Sequence, residues 1–221
     1  MTWSSLQSLL RSFWLDCADR LQRLSVVELR TALTSREEYN AHVDAARDSC
    51  LELHRPARAE LGVRQGWLRD PDMMAYNAGW KLQHPGYDNE TGCIDWPESQ
   101  WDEFLAVYQR DPAQADYFYL RDIVVDEYIG HVHYEISSRG DAEIGINIIP
   151  ERRRQGWGAT ALRLLVEQIW AATSVDLIVN EFEETRRSAI CLHHKIGFRP
   201  AELSEFHGVP MRRWELSRPQ P

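Results

Sequence analysis

The 221-residue chain carries 25 basic and 34 acidic side chains, a formal net charge of -9, and 43% hydrophobic residues. That length supplies one substantial core, and an acidic balance without any long Lys/Arg-rich stretch excludes a broad nucleic-acid footprint. Cys17, Cys50, Cys93 and Cys191 form no C-x-x-C pair and no stretch approaches a membrane span, so a cytoplasmic protein is expected, with reduced thiols and no metal, membrane or nucleic-acid partner.

In chain order, Leu6, Leu9, Leu10, Phe13, Trp14, Cys17 and Leu21 recur three and four apart, which predicts an amphipathic helix over 3–24. Residues 1–24 read as an extension and 25–221 as the main domain. The extension's apolar stripe would strap onto that domain or meet a second copy in a homodimer. The β-branched alternation of 25–30 predicts a first strand. Ser35 with Glu37 and Glu38 predicts a helix start, and Tyr39, Val43, Ala46, Cys50 and Leu53 carry the helical period as far as Pro56.

From 62 to 101 the chain mixes Gly and Pro with Trp67, Tyr76, Trp80, Tyr87, Trp96 and Trp101, which predicts a long ordered loop region suited to a binding wall. Strands are predicted over 117–121, 128–136 and 142–149 as a meander ended by Pro150. His131 and His133 alternate onto one face of the second of these strands, where wall or core roles outweigh a metal pair that lacks a third ligand. A helix over 156–172, a strand over 175–182, a helix over 186–196 capped by Gly197, and short strands over 198–203 and 210–216 complete the chain.

The stretch between the third strand and the following helix carries the chemistry. Arg153, Gly156 and Gly158 stand in the order Arg-x-x-Gly-x-Gly. Two glycines at a helix start let the backbone turn tightly and aim several N–H groups at one point, a nest for a pyrophosphate, with Arg152, Arg153 and Arg154 adding cations. No Gly-Lys-Ser/Thr ending and no G-x-G-x-x-G spacing is present, so nucleotide triphosphatase and dinucleotide loops are set aside.

With the run from Pro150 to Gly158 and the ending Lys195-Ile196-Gly197-Phe198, the sequence resembles the GNAT acetyltransferase superfamily over about 26–216. The resemblance implies an α/β (α+β) fold with a mixed, twisted sheet flanked by helices and splayed at its centre, plus the added N-terminal helix. It implies acetyl-CoA as cofactor, with backbone groups of Ile148 and Ile149 on the pantetheine and the amides of Arg153, Arg154, Gln155, Gly156, Trp157, Gly158 and Ala159 on the pyrophosphate. Asn180, at the end of a strand, offers a further amide to the cofactor arm. The reaction would be direct attack of a neutral amine on the thioester.

A base and an acid are then needed. Glu143, on the strand before the loop, is the leading base, with Glu181 and Asp122 as rivals. His193 stands where many members carry the acidic Tyr, and it, Tyr119, Tyr134 or solvent would protonate the thiolate. Trp80, Tyr87, Asp88, Glu90 and Asp95 suggest a pocket for a compact polycation, with an aminoglycoside-like amine as leading acceptor. A protein N-terminus is the alternative acceptor, and a non-catalytic acyl-CoA-binding module the alternative class.

Overall fold

The computed structural model describes residues 49–219. Expectations for the helix of 3–24, the strand of 25–30 and the start of the helix from Ser35 lie outside the described residues. The described elements are β1 (Leu51–His54), α1 (Leu61–Leu68), α2 (Pro71–Met74), α3 (Trp101–Tyr108), β2 (Ala115–Asp122), β3 (Glu127–Ile136), β4 (Ala142–Ile148), α4 (Trp157–Ala172), β5 (Leu177–Glu183), α5 (Arg187–Ile196), β6 (Arg199–Phe206) and β7 (Val209–Ser217).

The strands form one sheet in the order β1-β2-β3-β4-β5-β7-β6. All neighbours are antiparallel except β4 and β5, which are parallel and pair only through Ala142 opposite Ile178 and Glu143 opposite Val179. Beyond those two positions the strands part, and the sheet is splayed at its centre.

Alternation sorts the side chains onto two faces. On one, Phe118, Leu120, Val132, Tyr134, Ile144 and Ile148 pack with Leu162, Leu165 and Ile169 of α4. α4 forms because apolar residues recur at helical spacing over 16 residues with no Pro and no Gly after its first turn. Each of its fully buried leucines contributes roughly 1.5–3 kcal/mol of transfer free energy. The other face carries Tyr117, Tyr119, His131 and His133, covered by α1 and α3 through rings such as Trp67 and Phe104.

The meander, α4, β5, α5 and the last two strands lie where the periodicity places them, and Gly197 takes φ +103° at the end of α5. Two expectations are corrected. The helical period does not continue through Leu53 to Pro56, because Leu51–His54 alternates buried and outward residues and pairs with the open edge of β2. The region from 62 to 101 is not continuous loop: it holds α1 and α2, and α3 begins at Trp101. Gly62 and Gly66 hid α1, since both face open space where their lack of a side chain costs no packing. α2 starts at a cap that the composition does show, Asp70 accepting from the N–H groups of Asp72 and Met73 with Pro71 in the first turn. No helix among the described residues is long and apolar enough to cross a membrane.

Candidate active site

The backbone of β4 decides what faces the splay. Ile149 N–H donates to Ile129 O at 3.0 Å and Ser137 N–H to Asp141 O at 2.8 Å, so the odd-numbered residues of β4 turn their polar backbone groups toward β3. Ile144, Ile146 and Ile148 therefore turn theirs toward β5, into the gap. The Ile148 carbonyl accepts Arg153 Nε at 2.8 Å. This revises the expected pantetheine contacts: the Ile149 N–H is committed to β3, while Ile146 and the Ile148 N–H are open to the gap.

At the end of β4 a single helical turn, Pro150–Arg152, leads into Arg153 in extended geometry, then Arg154 at φ +59° and Gly156 at φ +93°. The N–H groups of Arg154, Gln155, Gly156 and Gly158 donate to no acceptor among the described residues, whereas Arg153 N–H donates to Pro150 O and Ala159 N–H to Gly156 O. The nest is thus centred on 154–158, at the positive end of α4. A Cβ on Gly158 would meet only Leu192, at 3.6 Å, so the fold has room for a side chain there. The glycine leaves the helix start open to an approaching ligand.

The three arginines divide their work. Arg152 pairs with Glu127 at 2.8 Å and lies 3.9 Å from Asp122. Arg153 is a strut, reaching Ile148 O, Asp72 O at 3.3 Å and Asn147 Oδ1 at 3.5 Å. Arg154 is exposed and its side chain makes no ion pair among the described residues.

At the apex of the splay, Glu143, Ile144, Val179, Asn180, Glu181 and Arg213 line a cavity of 240 Å³. Glu143 is opposite Val179, so alternation puts Glu143 and Glu181 on the same face. Glu143 is exposed and its carboxylate has no partner among the described residues. Glu181 accepts the Ser204 hydroxyl. Arg213 is held by Asp141 at 2.6 Å and Glu215 at 2.8 Å. Asp122 lies elsewhere, buried at the β2–β3 turn, where it accepts Val124 N–H at 3.1 Å.

His193 is 1% exposed, on the opposite face from the two glutamates. Its Nδ1 lies 2.8 Å from Ala189 O, which can only accept, so Nδ1 carries the proton. Nε2 then accepts from the Asn180 amide at 3.0 Å. Burial pulls the ring's pKa down to about 4, with the Arg186 charge acting in the same direction. The ring is neutral with both nitrogens engaged, and what it does in this arrangement is hold Asn180. Tyr119 and Tyr134 are also committed: Tyr119 OH donates to Glu60 O at 3.1 Å, and Tyr134 OH to Pro112 O at 2.5 Å on the α4 side.

A splayed β4/β5 pair, an open backbone edge beside it and an amide nest at its mouth together fit the arm and pyrophosphate of CoA. A family model for the acetyltransferase (GNAT) domain matches residues 50–199. The chain belongs to the GNAT acetyltransferase family. It is an acetyl-CoA-dependent N-acetyltransferase. Among solved structures, the spermidine N-acetyltransferase from Vibrio cholerae in complex with CoA and spermine superposes with a TM-score of 0.61 at 19% identity, covering 76% of this chain and 96% of that one. A dodecameric structure of spermidine N-acetyltransferase from Vibrio cholerae in an intermediate state gives 0.57 at 17% identity, over 76% and 94%. These likenesses establish the fold. No curated protein matches the sequence.

Most of the residues expected to form the acetyltransferase's acceptor wall make contacts that hold their own loop together. Asp88 caps the turn by accepting Glu90 and Thr91 N–H, Asp95 pairs with Arg69 at 2.6 Å, and Tyr87 OH donates to Asn77 O while accepting Trp80 N–H. Trp80 Nε1 donates to Tyr76 O at 2.7 Å and its ring packs on Phe206. Glu90 is exposed. The neighbouring aromatic cage is filled from within, because the Arg64 guanidinium lies 4.7–5.2 Å from the ring centres of Phe104, Trp96 and Tyr117. His131 and His133 stack on Tyr117 in this cage, and burial, then the Arg64 charge, keeps both neutral. Among the described residues no group of three His, Cys, Asp or Glu could hold a metal ion.

Proposed function

We propose that this acetyltransferase modifies a primary amine of a small acceptor carrying several amines, a class that includes linear polyamines and amino sugars of the aminoglycoside type. The observation that carries this reading is the pair of carboxylates, Glu143 and Glu181, on one face at the apex of the splay, with the one cation among the described residues lining that cavity, Arg213, already neutralised by Asp141 and Glu215. An ammonium entering there meets acceptors of charge, whereas the aromatic cage already holds Arg64. The Vibrio cholerae relative described with CoA and spermine makes a polyamine the first acceptor to test.

Acetyl-CoA supplies an activated thioester. The nest of 154–158 and Arg154 receive its phosphates, and the open edge at Ile146 and Ile148 aligns its arm. Glu143 takes the proton that frees the amine's lone pair, and Glu181 holds a second ammonium of the acceptor. His193 orients Asn180 toward the arm as a positioning residue. The test is thiol release from acetyl-CoA across polyamines, aminoglycosides, monoamines and basic peptides, with mass spectrometry of the product. One acetyl added to a polyamine or amino sugar, and little to a monoamine, is expected. Release confined to peptides would sink the small-acceptor reading.

A further inference from the structure

Two histidines on the same face as Glu143 have no part in the reaction as described, and one of them is unusually placed. Gly145 is the one glycine of β4, and His133 stands directly opposite it on β3. A Cβ on Gly145 would lie 2.1 Å from His133 Cε1, 2.7 Å from Nε2 and 2.8 Å from Nδ1. The nitrogen-bearing end of the imidazole therefore lies over Gly145, in the space where β4 would otherwise present a side chain. Glu143 and Gly145 alternate onto one face, about 6.6 Å apart along the strand. Ile146, the next residue, turns its backbone into the gap. His133 thus sits between the proposed base and the stretch of β4 that would receive the acetyl arm.

Aromatic contacts hold the ring in place. Tyr117 stacks on it at 5.9 Å and His131 at 6.1 Å, and Tyr108 meets it edge-on at 5.9 Å. Neither ring nitrogen has a hydrogen-bond partner among the described residues, and while Nδ1 is buried, Nε2 keeps contact with solvent. An unpaired polar group at such a depth needs a physical reason. Burial, then the Arg64 charge, pushes the pKa down to about 4, so the ring is neutral and offers one lone pair. The same cation favours the neutral form of an amine brought near it. His131 is the weaker candidate, since it is sandwiched between Trp67 and Tyr117 and stands opposite Asn147, further from Glu143.

We propose that His133 is a catalytic residue whose Nε2 accepts an N–H of the attacking amine. This rests on the reading that the acceptor's amine reaches Glu143 beside the acetyl arm. The primary ammonium arrives with three protons: Glu143 takes one, Nε2 holds a second by a hydrogen bond, and the freed lone pair is aimed at the thioester carbon. No proton passes to the imidazole. The acceptor's other ammonium stays with Glu181, so the neutral ring and the carboxylates sort the two ends of the molecule by charge.

The test uses the full chain with acetyl-CoA and spermidine. His133→Phe keeps a ring against Tyr117 and removes both nitrogens, and His133→Leu removes them without placing a larger ring over Gly145. Each should lower kcat by about 10- to 100-fold, the scale of a misaimed nucleophile. KM for spermidine and the affinity for acetyl-CoA should stay within about threefold, because the bond aims the nitrogen and supplies none of the charge contacts that bind the acceptor. The Tm of His133→Phe should hold or rise, since two unpaired nitrogens leave the interior. Gly145→Ala displaces the ring and should lower kcat to a similar degree, with no further loss when His133→Leu is added. Wild-type kcat in both His133 variants would overturn the proposal while leaving the acceptor reading intact. So would a loss of rate matched by falls in Tm and acetyl-CoA affinity, the pattern of a residue that only packs. A wild type that acetylates no polyamine or amino sugar would overturn both.

Discussion

Glu143 and His193 sit on opposite faces of the splayed strands, and that difference decides which can handle a proton. Glu143 is exposed and without a partner, so Glu143→Gln should lower kcat with spermidine by about 100-fold, the scale of general base catalysis, while calorimetry shows acetyl-CoA affinity unchanged. His193→Phe removes the acceptor for the Asn180 amide, and denaturant unfolding should show a loss of about 1–3 kcal/mol for the unpaired group. Glu60 offers a third test. Burial alone would raise its pKa, but Tyr128, His54 and the Ala57 N–H hold it at about 2. A carboxyl depressed in the fold stabilises it above the unfolded pKa of about 4.3, and that contribution fades as pH falls toward 2. The wild type should therefore exceed Glu60→Gln in unfolding free energy at pH 7, and the gap should close between about pH 5 and 2. Glu143 was legible in the sequence because it stands on the strand before a recognisable loop. The place of Tyr76, visible as one aromatic among six, was not legible, since it depends on Asn147 and Arg153, more than seventy residues away, gripping α2.

At the level of elements, the segment from β2 to α5 was readable because each piece has its own period and the turns carry Pro150, Gly156 and Gly197. β1 was misread because Cys50 and Leu53 are three apart by coincidence, and only the unpaired edge of β2 converts Leu51–His54 into a strand. The alternation that reveals Ile146 as the open backbone position was equally present in the sequence, but required knowing which side of β4 meets β3. The two loop glycines separate a demand of the fold from a demand of the ligand. Gly156 sits at φ +93°, where a Cβ costs about 1–2 kcal/mol, so Gly156→Ala should lose both stability and acetyl-CoA affinity. Gly158→Ala meets only Leu192 and gains helix propensity, so its unfolding free energy should hold or rise by up to about 1 kcal/mol. Its acetyl-CoA Kd should nevertheless weaken in calorimetry. A variant that kept wild-type affinity would remove the helix start from the cofactor site.

Across the whole molecule the net charge is -9, and the acceptor proposed for it is a polycation, so the protein's field should gather substrate before any contact forms. Screening separates this long-range effect from the contacts at Glu143 and Glu181. With a Debye length of about 30 Å at 0.01 M salt and about 8 Å at 0.15 M, distant carboxylates act on an approaching amine only in the dilute buffer. The kcat/KM for spermidine should therefore fall over this range more steeply than for a monoamine, because each added positive charge interacts with the same field. Glu181→Gln removes a local contact and a small part of the total charge, so it should lower kcat/KM for spermidine at every salt concentration while leaving the steepness nearly unchanged. Stopped-flow or initial-rate measurements over the salt series distinguish the cases. A flat response for spermidine would mean that the acidic balance serves solubility alone and that selection among amines is made entirely at the apex of the splay.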